Sequence, residues 1–95
     1  EWFQISIAER IREKLLYFNP SDLVVRDESE KHKGHSGWKE GGQSHFHVHL
    51  VSDFFSGKSK LQRHRIINEL LHDDIKMIHA LSLSTKTSDE VGEIE

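Results

Sequence analysis

Between Ser44 and Val51 the chain reads Ser-His-Phe-His-Val-His-Leu-Val, and from His45 polar and apolar residues alternate until the final pair. In an extended chain successive side chains point to opposite faces. The stretch therefore predicts a strand with Phe46, Val48 and Leu50 on one side and His45, His47 and His49 on the other. Such a strand needs cover on its apolar face and tolerates water on its polar face. That constrains the fold to an α+β arrangement in which helices cover one face of the sheet.

Two stretches supply the cover. Ser6-Ile-Ala-Glu9 is a capping box, with a hydroxyl placed for an N-terminal amide and a carboxylate placed to reach back. Ile7, Ile11 and Leu15 follow at helical spacing, and Asn19-Pro20 ends the run, since residues before proline avoid the helical region. Ser59 and Gln62 form a second box. After it Ile66, Ile67, Leu70 and Leu71 mark the buried stripe of a helix from about Lys60 to His72, broken by Asp73-Asp74. Ile75 and Ile78 pack the return. Leu23 to Asp27 and Ala80 to Ser84 read as further strands, and Thr87 with Glu90 opens a short C-terminal helix that frays. The first two strands pair as a long hairpin and the third returns after a helical crossover. The result is a three-stranded mixed sheet.

At 95 residues the chain forms one domain, 1–95, with a small core. The first few residues and 91–95 are expected to fray. Residues 28–43 lack any apolar period and contain Gly34, Gly37, Gly41 and Gly42, which predicts a long mobile loop. No apolar run approaches the roughly 20 residues of a membrane span, and no N-terminal stretch reads as a signal peptide.

Cysteine is absent, which excludes disulfides, thiolate ligands and a cysteine nucleophile. No Ser-His-Asp pattern, phosphate-binding glycine loop or redox pair is present, so nothing points to an enzyme. A net charge of −3 gives no whole-molecule attraction to nucleic acid. Lys58, Lys60, Arg63 and Arg65 nevertheless cluster at a helix entry, where phosphates can also meet free amides. The plainer reading is a solvated helix face, and the aromatics of a base-stacking platform are missing.

Histidine is the unusual residue, eight in 95. His45, His47 and His49 have a spacing that zinc sites use, although the wet face of a sheet demands polar residues in any case. His32 and His35 lie in the long loop, His64 sits between two arginines, and His79 opens the third strand. A loop histidine and a strand-end histidine can converge on one metal and leave positions for a partner's ligands. Packing is the plain alternative for His64 and His79.

Three segments carry a resemblance: DESEKHKGH at 27–35, SHFHVHLVSDFFSGKSKLQRHRIINELL at 44–71, and IHALSLSTKT at 78–87. Together they resemble the BolA family, most specifically in Phe-x-Gly-Lys, Gln-Arg-His-Arg and His-Ala-Leu. The resemblance covers most of the chain from Leu23 to Glu90. It implies a fold related to the class II KH domain, in the order α-β-β-α-α-β-α, and a protein that is not an enzyme. It implies a monothiol glutaredoxin as partner, with a bridging 2Fe–2S cluster shared with that partner and glutathione, and no cofactor on the isolated chain. The ligand matching the family's strand-opening histidine is His79, and the second is a loop residue, His35 or His32. His64 matches the histidine of the family's Arg-His-Arg and, with Arg63 and Arg65, falls on the surface facing the cluster. Some bacterial members act as DNA-binding regulators, which is the alternative for Lys58, Lys60, Arg63 and Arg65, with duplex DNA as the partner. Where a KH domain has Gly-x-x-Gly this chain has Leu71-His-Asp-Asp74, which counts against KH-style RNA binding. The expected free form is a monomer, inside the cell, in the cytoplasm or an iron–sulfur-assembling organelle such as the mitochondrion.

Overall fold

A computed structural model describes residues 6–29 and 45–91. The expected fraying of both chain ends and the loop carrying His32 and His35 fall largely or wholly outside the described residues. The order is α1 (Ile7–Leu15) with a 3-10 turn Leu16–Phe18, β1 (Asp22–Asp27), β2 (His45–Val51), a 3-10 turn Asp53–Phe55, α2 (Lys60–Leu70), α3 (His72–Ile75), β3 (Ala80–Lys86) and a 3-10 turn Ser88–Glu90. The strands form one sheet in the order β1-β2-β3. β1 pairs antiparallel with β2, and β3 pairs parallel with it. No helix among the described residues is long and apolar enough to cross a membrane.

The alternation in β2 divides the sheet as the sequence predicts. Phe46, Val48 and Leu50 are buried against Ile11 and Leu15 of α1 and Ile67 of α2, with Leu71, Phe18 and Phe55 completing the core. On the open face His47 stands between Arg26 and Ser82, and His49 between Val24 and Ser84.

The caps set the element boundaries. Ser6 accepts the Glu9 amide at the start of α1. The first helix ends through Asn19, which takes a left-handed conformation (φ 50°) ahead of Pro20, a backbone state that asparagine tolerates better than most residues. At α2 both halves of the Ser59–Gln62 box form. The Thr87–Glu90 box also forms, but the chain turns extended at Val91, so a single 3-10 turn stands where a C-terminal helix was expected.

Two charged residues lie deep in the structure. The predicted break at Asp73-Asp74 is a short helical turn, α3, and Asp74 is fully buried. Its carboxylate accepts from Arg10 Nε at 2.9 Å and Lys14 Nζ at 2.5 Å, binding α3 to the polar flank of α1. Burial pulls the Asp74 pKa upward, but the hydrogen bonds from Lys14 and Arg10 and their charges outweigh it, and the net shift is down. Arg63, one turn before Ile67, is also buried. It donates to the carbonyls of Lys58 (2.9 Å) and Thr85 (3.3 Å) and, through both terminal nitrogens, to the Glu90 carboxylate at 2.7 and 3.0 Å. Paired donors of this kind are the strongest use of a guanidinium. The bond from Arg63, followed by the Thr87 amide, lowers the Glu90 pKa from 4.5 to about 2.

Replacing Asp74 by Asn keeps the shape and removes the charge that Arg10 and Lys14 face. Stability should fall by about 2 kcal/mol, read as a lower denaturation midpoint at unchanged slope; an unaltered midpoint would show that the triad does not hold α3 to α1. The Glu90 clamp has a defined acid limit. Its folded pKa is depressed, so its contribution is complete above about 4.5 and is lost as the pH falls toward 2. An NMR titration of the Glu90 carboxyl should find that low midpoint, whereas a midpoint near 4.5 would mean Arg63 does not engage it.

Candidate metal-binding site

Parallel pairing brings the beginnings of β2 and β3 to the same end of the sheet. His45 is in register with Ala80, immediately after His79. The His45 backbone is fixed on both sides: its carbonyl accepts from Glu28 N at 2.8 Å and its amide donates to Ser29 Oγ at 3.1 Å. Ser29, itself buried, donates through its amide and hydroxyl to Asp27 Oδ1. This knot ties together the two points, Ser29 and His45, between which the long segment leaves and rejoins the sheet.

His45 is only 5% exposed, whereas His79 is exposed. Their ring centroids are 5.1 Å apart and the planes are tilted by 51°. Beside His79 opens a cleft of about 370 Å³, with Ile75, Ile78 and Leu81 among its walls and Asn68, His72 and Lys76 at its polar positions. The arrangement offers imidazole nitrogen at a strand end, an adjoining apolar wall and open access.

The other candidates separate. His47 Nδ1 lies 2.7 Å from Ser82 Oγ, and His49 Nδ1 lies 3.3 Å from Ser84 Oγ, with Asp22 3.6 Å from its other nitrogen. The His-x-His-x-His pattern thus divides between a row of cross-strand polar contacts and one residue, His45, that turns to His79. Among the described residues no group of three His, Asp or Glu could hold a metal. His32 and His35 lie outside the described residues.

His64, on α2, has its Nε2 buried with no hydrogen-bond partner among the described residues. Burial first, then the charges of Lys60 and Arg63, push its pKa down and favour the neutral ring. Arg63 belongs to the interior rather than to a surface, because Glu90, Thr85 and Lys58 hold it. Lys58 donates to the Phe54 carbonyl at 3.3 Å and stands 4.9 Å over the Phe54 ring. Lys60 and Arg65 are exposed. The basic run therefore leaves two outward cations where the sequence counted four.

Spacing grouped His45 with His47 and His49, the family resemblance set His45 apart from them, and neither showed its contact with His79. The signal was the register: a helical crossover implies parallel strands, and parallel strands align their starting residues.

The BolA model, described as "BolA-like protein", matches residues 15–90. The chain is 46% identical over 88 residues to the SufE-like protein 1, chloroplastic/mitochondrial, of Arabidopsis thaliana, covering 86% of this chain and 24% of that protein. It spans only about a quarter of that relative's length. It is 45% identical over 86 residues to the DNA-binding transcriptional regulator BolA of Escherichia coli, covering 88% of this chain and 78% of that one. The solved BolA domain of SufE1 from Arabidopsis thaliana superimposes with a TM-score of 0.80 at 45% identity, covering 94% of this chain and all of that domain. The mixed sheet, the strand-opening His79 and these matches place the chain in the BolA family.

Proposed function

We propose that this protein is a non-enzymatic adaptor that binds a monothiol glutaredoxin and co-ligates a 2Fe–2S cluster bridging the two, in cluster assembly, trafficking or iron regulation. The observation that carries the reading is the position of His79. It is an exposed imidazole at the open end of the parallel strand pair, beside a cleft with an apolar wall and next to the point where segment 30–44 rejoins the sheet. A protein approaching this end meets a nitrogen donor and apolar surface together.

The donor set suits the group. The chain has no thiol to offer. Imidazole is an established ligand for iron, and nitrogen ligation raises the potential of a 2Fe–2S centre relative to all-thiolate ligation. When bound, such a cluster supplies electron- and iron-transfer chemistry. This chain's own contribution would be to hold an imidazole nitrogen at the strand end and to leave the remaining positions to the partner and glutathione. On the family resemblance the second nitrogen from this chain is His35 or His32. The reading places the protein inside the cell, in the cytoplasm or an iron–sulfur-assembling organelle, and treats the free chain as a monomer.

The name of the Escherichia coli relative supports a second reading, duplex DNA binding through the basic helix entry. With Arg63 held by Glu90, that reading depends on Lys60 and Arg65. It predicts salt-dependent binding that weakens about equally on any duplex when both are neutralised; binding indifferent to the pair would end it.

The test of the first reading is titration of a cluster-loaded monothiol glutaredoxin, with glutathione, by this protein under anaerobic conditions, followed by visible circular dichroism. The wild type should change the spectrum and saturate at one to one. His79→Ala should abolish that form while its unfolding free energy stays within about 0.5 kcal/mol of wild type, as expected for an exposed side chain. A spectrum unchanged by the substitution would remove His79 from the ligand set.

A further inference from the structure

We infer that the outer edge of β3, from Leu81 to Thr85, is a docking edge for an extended acidic segment of a partner protein, which joins the sheet as an added strand lying between Lys76 and Lys60. The inference stands apart from the cluster reading and uses no histidine as a ligand.

The hydrogen-bond pattern leaves this edge open. β3 is the last strand of the sheet and pairs only with β2. In a parallel pair the amide and carbonyl of one residue point to the neighbouring strand, and those of the next residue point away from it. The Lys86 carbonyl accepts from the Ser52 amide at 2.9 Å, so Lys86, Ser84 and Ser82 turn their backbone groups toward β2. Leu81, Leu83 and Thr85 therefore turn theirs outward. The Thr85 carbonyl accepts there from Arg63 Nη1 at 3.3 Å. Among the described residues no backbone partner reaches the outward amides and carbonyls of Leu81 and Leu83. A row of unpaired groups of this kind is a template for another extended chain, and peptides that lengthen a sheet use it through main-chain hydrogen bonds.

The charges at its two ends select the occupant. Lys76 lines the cleft at the start of β3 with Ala80 and Leu81. Lys60 lines a second, more polar cleft of about 300 Å³ at the other end, with Leu83, Ser84 and Thr85. Both lysines are exposed, and no ion pair holds either among the described residues. Glu90, the acid of the second cleft, is already held by Arg63. At about 3.3 Å per residue the edge spans roughly 17 Å, so one extended segment of about six residues runs from one cleft to the other. Acidic residues at its ends meet a lysine at each. The same charges count against a second copy of this chain: antiparallel pairing of two β3 strands sets the Lys76 end of one against the Lys60 end of the other, and like charges placed opposite destabilise a strand pair. The faces of the sheet add a pattern. An added strand has Ser82 and Ser84 beside it on the open face and Leu81, with Ile75 and Ile78, on the covered face, so its side chains alternate polar and apolar.

The experiment is amide hydrogen exchange by NMR on the full ¹⁵N-labelled chain. Its probes are two blocked peptides of about six residues in which valine and threonine alternate, one with aspartate at both ends and one with lysine. In the free chain exchange should alternate along β3, slow at Ser82 and Ser84, whose amides face β2, and fast at Leu81 and Leu83. The aspartate peptide at saturation should slow Leu81 and Leu83 about tenfold or more, and the lysine peptide should bind about tenfold more weakly or worse. Lys60→Glu and Lys76→Glu together should reverse that preference. Equal binding of the two peptides would overturn the proposal, as would protection that falls elsewhere or none at millimolar aspartate peptide. An aspartate peptide methylated on its backbone nitrogens cannot pair with a strand edge; if it bound as tightly as the parent, strand addition would be refuted. Protection of Leu81 and Leu83 that rises with protein concentration alone would assign the edge to a second copy and overturn the acidic occupant.

Discussion

The parallel pairing of β2 with β3 is the constraint on which the rest of this structure depends. Parallel neighbours cannot be joined by a tight turn, so the chain must leave the end of β2, cross the sheet and return to its start. α2 and α3 make that crossing, and their apolar residues Ile67 and Leu71 cover the face that Phe46, Val48 and Leu50 present. The same pairing sets the register of His45 against Ala80. Cover for the core and assembly of the histidine end are two results of one topological choice.

A crossover in a domain this small has few apolar contacts to hold it, and buried charge reinforces both of its ends. At the entry, Arg63 joins α2 to the carbonyl of Thr85 in β3 and to Glu90 beyond it. At the exit, Asp74 joins α3 to Arg10 and Lys14 of α1. A lone buried charge would be costly, but each of these has charged partners and hydrogen bonds that offset its desolvation. The arrangement also gives the acidic turn Leu71–Asp74 a structural task. Asp74 is directed inward to α1, so the turn serves as a joint between α1 and α3.

What could be read from the sequence was what local chemistry decides. The alternation through β2, the apolar stripe of α1, the two complete capping boxes at Ser59–Gln62 and Thr87–Glu90 and the Ser6 cap all involve residues a few positions apart, and each appears in the structure close to its predicted place. Asp74 lies 64 positions from Arg10, and Arg63 lies 27 from Glu90. Nothing near Asp73-Asp74 distinguishes a solvated turn from a buried anchor, and nothing in Lys58 to Arg65 shows that one cation of four is turned inward. The candidate site was legible in part for the same reason. His79 was legible as the residue before a strand, and the family resemblance alone singled it out as a candidate ligand. Its contact with His45 arises only after the register is fixed.

That division bears on how the histidines should be understood. A sequence rich in imidazole invites a single explanation, but the structure distributes the described rings over different tasks. His47 and His49 meet hydroxyls across the open face, where a polar side chain is required and metal is not. His64 is kept neutral by burial and neighbouring cations, with an unpartnered nitrogen among the described residues. At the shared end of β2 and β3 the rings of His45 and His79 stand 5.1 Å apart, with His79 open to solvent. Strand register, which aligns the starts of β2 and β3, is what brings those two rings together from distant places in the sequence and out of reach of any local reading.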